Sequence, residues 1–178
     1  MTNISLSNEL KIKSTIDTQY QPAILWIKKY LNNVLKTNDF EEVIICLERD
    51  SLDKSFYKTI VFSKNQNQDN LTFIYLERLV KTLLWLKGGH KLQFAGPEYL
   101  GKFLQEIFSK MGTRSFDALF MKKIYEKDFT VEIVKKEEIK IIPEPSKPIG
   151  RNLDGYRIGF DAGGSDRKVS AVVNGKSI

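Results

Sequence analysis

The chain has 178 residues, of which 42% are hydrophobic and 28% charged; this suits one medium domain, or one domain and part of another, and argues against wholesale disorder. Its only cysteine and only histidine, Cys46 and His90, exclude an internal disulfide and a cysteine- or histidine-rich zinc site. The formal net charge is +6, but the lysines are scattered and often lie beside acids, so a nucleic-acid partner is not expected.

In chain order, the first half predicts a helix, a hairpin and a second helix. The opening residues lack a secretion signal, and no apolar run reaches the ~18–20 residues that span a bilayer, so we expect a cytoplasmic protein without a membrane partner. Pro22 is typical of a helix start, residues 42–48 and 56–62 are expected to form an antiparallel hairpin, and residues 71–87 a long helix ended by Gly88 and Gly89. The predicted inward face of the first helix is Ile24, Ile27, Leu31, Val34 and Leu35.

The second half continues with a strand over residues 91–95, a turn at Gly96, a helix from Pro97, and a shorter helix capped by Ser115. Alternating apolar residues over 129–133 then predict a last strand. Residues 1–142 are therefore expected to form one accessory α/β (α+β) domain. Residues 143–155 follow as a stiff linker, because three of the five prolines of the chain lie there.

The segment over residues 156–178 holds the most informative motif. A strand over 156–160 leads into a glycine-rich turn, and a second alternating strand over 169–173 leads to Asn174-Gly175, a dipeptide typical of a type I′ hairpin turn. Two adjacent glycines allow backbone N–H groups to approach an anion, and they tolerate a positive φ. A hydroxyl donor, a lysine charge and a carboxylate able to hold magnesium through water complete the pattern. The candidate ligands are Asp161, Gly163, Gly164, Ser165 and Lys168.

This run, Asp-x-Gly-Gly-Ser-x-x-Lys, resembles the first phosphate motif of the sugar kinase, actin and heat-shock ATPase superfamily. The nearest resemblance is to the ROK family (repressors, open reading frames and sugar kinases), whose motif has threonine where this chain has Ser165. The resemblance implies that residues 156–178 are the first β-hairpin of an actin-like (ribonuclease H-like) ATPase domain. It also implies ATP and Mg²⁺ as cofactors and a sugar as the acceptor in the full-length protein, whereas no bound cofactor is expected on the 178 residues alone.

The resemblance further implies that the catalytic aspartate, the second phosphate motif and a zinc site lie beyond Ile178, so no catalytic residue is assigned here. We accordingly expect the 178 residues to be the N-terminal part of the kinase and inactive alone. Two alternatives stay open: a ROK-like, sugar-responsive transcriptional regulator, and a non-catalytic binding module with a kinase-like fold. Assembly into a homodimer is also left open.

Three further residues or pairs receive structural interpretations. Gly96-Pro97, at a strand-to-helix turn, is read as a plain connection rather than an anion site, because Pro97 lacks an N–H donor. His90 is read as a surface or hydrogen-bonding side chain. Cys46, within an apolar strand, is read as an inert core thiol.

Overall fold

The computed structural model describes residues 10–12, 14–17, 20, 22–51, 53–141 and 153–178. The chain divides into two compact units, Met1–Glu144 and Pro145–Ile178. The described residues contain four α-helices and two β-sheets, so the predicted mixed α/β class is confirmed. Most of the predicted linker, and residues 1–9 of the predicted first domain, lie outside the described residues. Within the part described, no helix is both long enough and apolar enough to cross a membrane.

The first unit is built on a four-stranded sheet with the order β2-β1-β3-β4. β1 (Phe40–Glu48) pairs antiparallel with β2 (Lys54–Phe62) and with β3 (Lys91–Ala95). β4 (Thr130–Ile133) lies parallel to β3, so the chain between them crosses over through helices. The predicted hairpin is confirmed, and β3 has the predicted bounds.

Four helices complete this unit: α1 (Ala23–Lys36), α2 (Asp69–Lys87), α3 (Glu98–Ile107) and α4 (Ser115–Tyr125). Gly88 ends α2 with a φ of 71°, and its N–H donates to the carbonyl of Leu84, as expected of a glycine after a helix. The prediction that Ser115 caps α4 is wrong, because Arg114 holds that position and Ser115 is the first helical residue.

The core of this unit lies between the sheet and its helices. Alternate residues of β1 point into it, namely Val43, Ile45 and Leu47, and each is at most 1% exposed. Leu92 and Phe94 of β3 continue the same layer and are fully buried. This alternation follows from the two-residue period of a strand.

The inward face of α1 differs from the predicted one. Tyr30 and Val34 are fully buried, whereas Ile24 and Leu35 are 55% and 51% exposed. Tyr30 takes the central place because its ring stacks on Tyr75 at 4.4 Å and its hydroxyl bonds to that of Thr72 at 3.0 Å. A buried phenol is tolerated when its hydroxyl has a partner, and a count of aliphatic residues alone misses this.

The second unit is a three-stranded antiparallel meander of β5 (Tyr156–Ala162), β6 (Arg167–Val173) and β7 (Lys176–Ser177). Asn174 and Gly175 join β6 to β7 with φ values of 48° and 81°. Both values are positive, as a type I′ turn requires. The N–H of Gly155 donates to Oδ1 of Asn174 at 2.9 Å, which closes the base of the meander.

Candidate phosphate-binding hairpin

The predicted ligands lie together at one end of the β5–β6 hairpin. The register places Asp161 opposite Lys168 and Ala162 opposite Arg167, so residues 163–166 form the loop between the strands. Every residue of 161–168 is exposed to solvent. The five candidate ligands, Asp161, Gly163, Gly164, Ser165 and Lys168, therefore lie within one accessible turn and its two flanking strand positions.

The two faces of this hairpin differ in chemistry. On one face, Asp161 and Lys168 lie at the loop end, followed by Gly159 opposite Ser170. The opposite face is apolar over most of its length, and its largest side chains are 65–83% exposed. That apolar face consists of Tyr156, Ile158, Phe160, Val169, Ala171 and Val173.

The two loop glycines, Gly163 and Gly164, have different surroundings. A Cβ atom at Gly163 would lie 2.8 Å from Oδ1 and 2.9 Å from the carbonyl oxygen of Asp166, so the loop itself requires glycine there. A Cβ atom at Gly164 would have no neighbour within 4 Å. The structure offers no packing reason for Gly164, and its bare backbone faces open space where an anion has room to approach.

Neither loop glycine uses the positive φ that glycine tolerates. The positive-φ glycines of the described chain are Gly88, Gly89, Gly155 and Gly175. The turn uses four residues, and this length reverses the chain without a left-handed residue at 163 or 164. A left-handed backbone therefore explains neither glycine: close contacts with Asp166 account for Gly163, whereas Gly164 has no neighbour within 4 Å.

Lys168 is engaged in an ion pair within the loop. Its Nζ lies 3.3 Å from Oδ2 of Asp166, and both side chains are more than half exposed. An exposed pair of this kind contributes little to stability and opens at small cost. Lys168 is thus held beside the turn, where a phosphate group would compete with Asp166 for the ammonium.

Asp161 carries a carboxylate and Ser165 a hydroxyl, and both are oxygen donors of the kind that a magnesium-phosphate group can contact. Hard cations take oxygen ligands, and Mg²⁺ usually keeps several waters and one or two carboxylates beside phosphate oxygens. Among the described residues, no three or more His, Cys, Asp or Glu side chains are grouped to hold a metal ion. Asp161 could supply one carboxylate to a metal ion that a phosphate group carries in.

His90 is buried, although a surface position was one of the two alternatives predicted for it. It is 8% exposed, and its Nε2 atom has no hydrogen-bond partner among the described residues. Its backbone is fully used: the N–H donates to Glu48, and the carbonyl accepts from Thr130, each at 3.0 Å. The side chain lies inside the first unit beside Tyr125, with ring centres 6.2 Å apart, so it is not a surface group.

Gly96 and Pro97 lie between β3 and α3, as the sequence predicts. A groove of about 760 Å³ lies beside Gly96 and Pro97, and five glutamates but only two lysines line it, so its charge disfavours an anion there. Cys46 is fully buried, and burial raises the pKa of its thiol. A thiol that stays protonated is a poor nucleophile.

The sequence reading missed Asp166, which both closes against Gly163 and pairs with Lys168. The pattern contained a sign of it, because side chains two positions apart near a strand lie on the same side. No protein-family model matches this chain, and no match was found among the curated proteins or the solved structures.

Proposed function

We propose that residues 156–178 begin the ATPase domain of a ROK-type, ATP-dependent sugar kinase, and that the loop of the β5–β6 hairpin binds the phosphates of magnesium-ATP. The reaction is transfer of the γ-phosphoryl group to a sugar hydroxyl. The observation that carries this proposal is Gly164, a glycine with no packing or φ requirement, flanked by a carboxylate, a hydroxyl and a lysine.

Each ligand has a role in this proposal. The backbone N–H groups around Gly164 and the hydroxyl of Ser165 donate to phosphate oxygens. Asp161 orients the magnesium ion through water, and Lys168 leaves Asp166 to neutralise phosphate charge. Phosphoryl transfer depends mostly on positioning and charge neutralisation, and these are what such a loop supplies.

The exposed apolar face of the second unit supports the same proposal. A sheet face with Ile158, Phe160 and Val169 at 65–80% exposure is the kind of surface that a domain buries. This unit is the β5–β6 hairpin with a third strand of only two residues, and an isolated hairpin is marginally stable. In an ATPase domain the same face packs against further strands and helices, which explains its composition.

The regulator alternative receives less support. A winged helix-turn-helix has three short helices followed by a small hairpin. The described part of the first unit has one helix, a hairpin of two nine-residue strands, and then a nineteen-residue helix. The order of elements therefore favours an accessory domain.

Titration of the isotope-labelled chain with magnesium-ATP, followed by NMR, tests the proposal. We expect saturable shifts of the amides of 163–166, with a dissociation constant of about 1 mM because a single loop makes few contacts. Gly164→Val should weaken binding about tenfold without changing the strand register. The matched control Asp154→Asn, an exposed carboxylate of the same unit, should bind as the parent does. Equal binding by Gly164→Val, or shifts spread over both units, would contradict the proposal.

A further inference from the structure

A cationic groove lies on the first unit, far in sequence from the hairpin. The segment at residues 10 and 11 and the helix α1 enclose about 680 Å³. Its polar lining consists of two asparagines and four lysines, and none of the described residues that line it is acidic. The lysines are Lys11, Lys28, Lys29 and Lys36.

The helix that forms this groove is held in a fixed rotation. Tyr30 and Val34 are fully buried, and the ring of Tyr30 is stacked on Trp26 and on Tyr75. No residue between Tyr20 and Asn38 is acidic. The outer side of α1 therefore presents Lys28 and Lys36 at defined positions, with no acidic residue on the same helix.

Apolar side chains share this outer side with the lysines. Ile24, Leu25 and Leu35 are 55%, 36% and 51% exposed. Residues three, four or seven apart lie along one side of a helix, so Lys28 lies between Ile24 and Leu35. Leu25 starts a second row that continues through Lys29 and Lys36. The first of these rows alternates apolar side chains with positive charge.

We infer that this groove and the outer side of α1 beside it bind an acidic, amphipathic polypeptide segment, whose carboxylates meet Lys28 and Lys36 and whose apolar side chains pack on Ile24, Leu25 and Leu35. Charge complementarity selects an anionic partner and raises its association rate. The interspersed apolar positions select a partner that carries its own hydrophobic residues at helical spacing. This interaction is independent of nucleotide binding at the hairpin.

The arrangement favours a polypeptide over the other anionic partners. A nucleic acid uses exposed aromatic rings for stacking, but the aromatic residues of α1, Trp26 and Tyr30, are stacked against each other and against the core. Membrane binding uses a continuous apolar sector, but here Lys28 lies between Ile24 and Leu35.

The test uses a fluorescent helical peptide of glutamate and leucine, with leucines at three- and four-residue spacing. A peptide of the same composition with the leucines clustered is the specificity control. Fluorescence anisotropy measures binding to the parent chain and to Lys28→Glu/Lys36→Glu. Lys58→Glu/Lys123→Glu is the matched control, because it replaces two exposed lysines outside the groove and changes the net charge equally. Leu35→Ser tests the apolar part of the interaction.

We expect the spaced peptide to bind at least about tenfold more weakly to Lys28→Glu/Lys36→Glu than to the control variant, and Leu35→Ser to lower the affinity without changing its salt dependence. Equal loss in both charge variants would overturn the inference, since binding would then follow net charge alone. Equal affinity for the two peptides would also overturn it. Stronger binding of an oligothymidylate or of phosphatidylserine vesicles, lost in the same variant, would assign the groove to nucleic acid or to a membrane instead.

Discussion

The two sheets of this protein use the same alternation of apolar residues with opposite results. In the first unit, helices cover the apolar face of β1 and β3, and residues such as Val43 and Phe94 are fully buried. In the second, Ile158 and Phe160 of β5 occupy equivalent alternate positions, but they are 80% and 65% exposed. Alternation therefore predicts which face is apolar, whereas the neighbouring elements decide whether that face becomes a core.

The largest effect we predict tests this contrast directly with one substitution in each unit. Phe94→Ala removes a fully buried ring and should lower the free energy of unfolding of the first unit by about 3–5 kcal/mol, because it creates a cavity. Phe160→Ala removes the same kind of ring from an exposed position, and it should change the free energy of unfolding of the second unit by less than about 0.5 kcal/mol. Thermal unfolding followed by circular dichroism measures both. Similar losses from the two variants would mean that the face of β5 is covered.

A second prediction concerns a buried carboxylate in the first unit. Asp117 is 3% exposed; it accepts a hydrogen bond from Nε1 of Trp85 at 2.7 Å and lies 3.7 Å from Arg114. Asp117→Ala leaves both donors without this acceptor and should cost about 1–3 kcal/mol. The fluorescence of Trp85, which stacks on Phe120 at 5.0 Å, should shift as well.

The matched variant is Asp166→Ala in the second unit. There the carboxylate belongs to an exposed ion pair with Lys168, so stability should change by less than about 0.5 kcal/mol. If both aspartates proved equally costly or equally silent, burial would not be what separates the two units.

Local sequence rules predicted most of the first unit. Gly88-Gly89 precede β3 and Gly96-Pro97 follow it. Because such residues interrupt regular structure, the bounds of the strand, Lys91–Ala95, could be predicted from the sequence. The rules failed where tertiary contacts decide. The rotation of α1 depends on the hydroxyl pair of Tyr30 and Thr72, and the burial of His90 depends on neighbours far away in the chain.

The candidate site shows the same division. The two strands and the glycine-rich turn between them were predicted from the residue pattern, whereas the opposition of Asp161 and Lys168 is known only from the register of the structure. The reason for each glycine could not be predicted, because a Cβ contact such as that between position 163 and Asp166 is visible only in the structure. The ion pair between Asp166 and Lys168 was missed for the same reason.

A third prediction separates the two loop glycines. Gly163→Ala places a Cβ less than 3 Å from two oxygens of Asp166 and should distort the loop, with loss of the cross-strand contact between Asp161 and Lys168. Gly164→Ala should leave that contact and the amide exchange of β5 and β6 unchanged, because the added atom meets nothing within 4 Å. Cross-strand nuclear Overhauser effects report the register. An undisturbed loop in Gly163→Ala would show that Asp166 moves away freely.

The smallest effect we predict is a pH dependence of the free energy of unfolding of the first unit. Burial would raise the pKa of Glu48, but a hydrogen bond from Lys54 and the positive charges of Lys54 and Lys91 outweigh burial and hold that pKa below its usual value. The Nζ atom of Lys54 lies 2.8 Å from the carboxylate. The hydrogen bond from Lys54 to Glu48 likewise raises the pKa of Lys54 above its usual value, although burial opposes this.

The two pKa shifts determine in which pH range the pair stabilises the fold. A carboxyl whose pKa is lower in the folded state stabilises the fold above its unfolded pKa, and this stability is lost as the pH falls through the folded pKa. The lysine contribution is complete below its own unfolded pKa, so the pair is intact at neutral pH. We expect Lys54→Met to cost about 0.5–1 kcal/mol at neutral pH and to lose this cost in acid. Unfolding of parent and variant by urea at several pH values measures the difference. Lys168→Met, which opens the exposed pair of the second unit, is the control and should be silent throughout; a constant difference between parent and Lys54→Met across the acid range would contradict the assignment to Glu48.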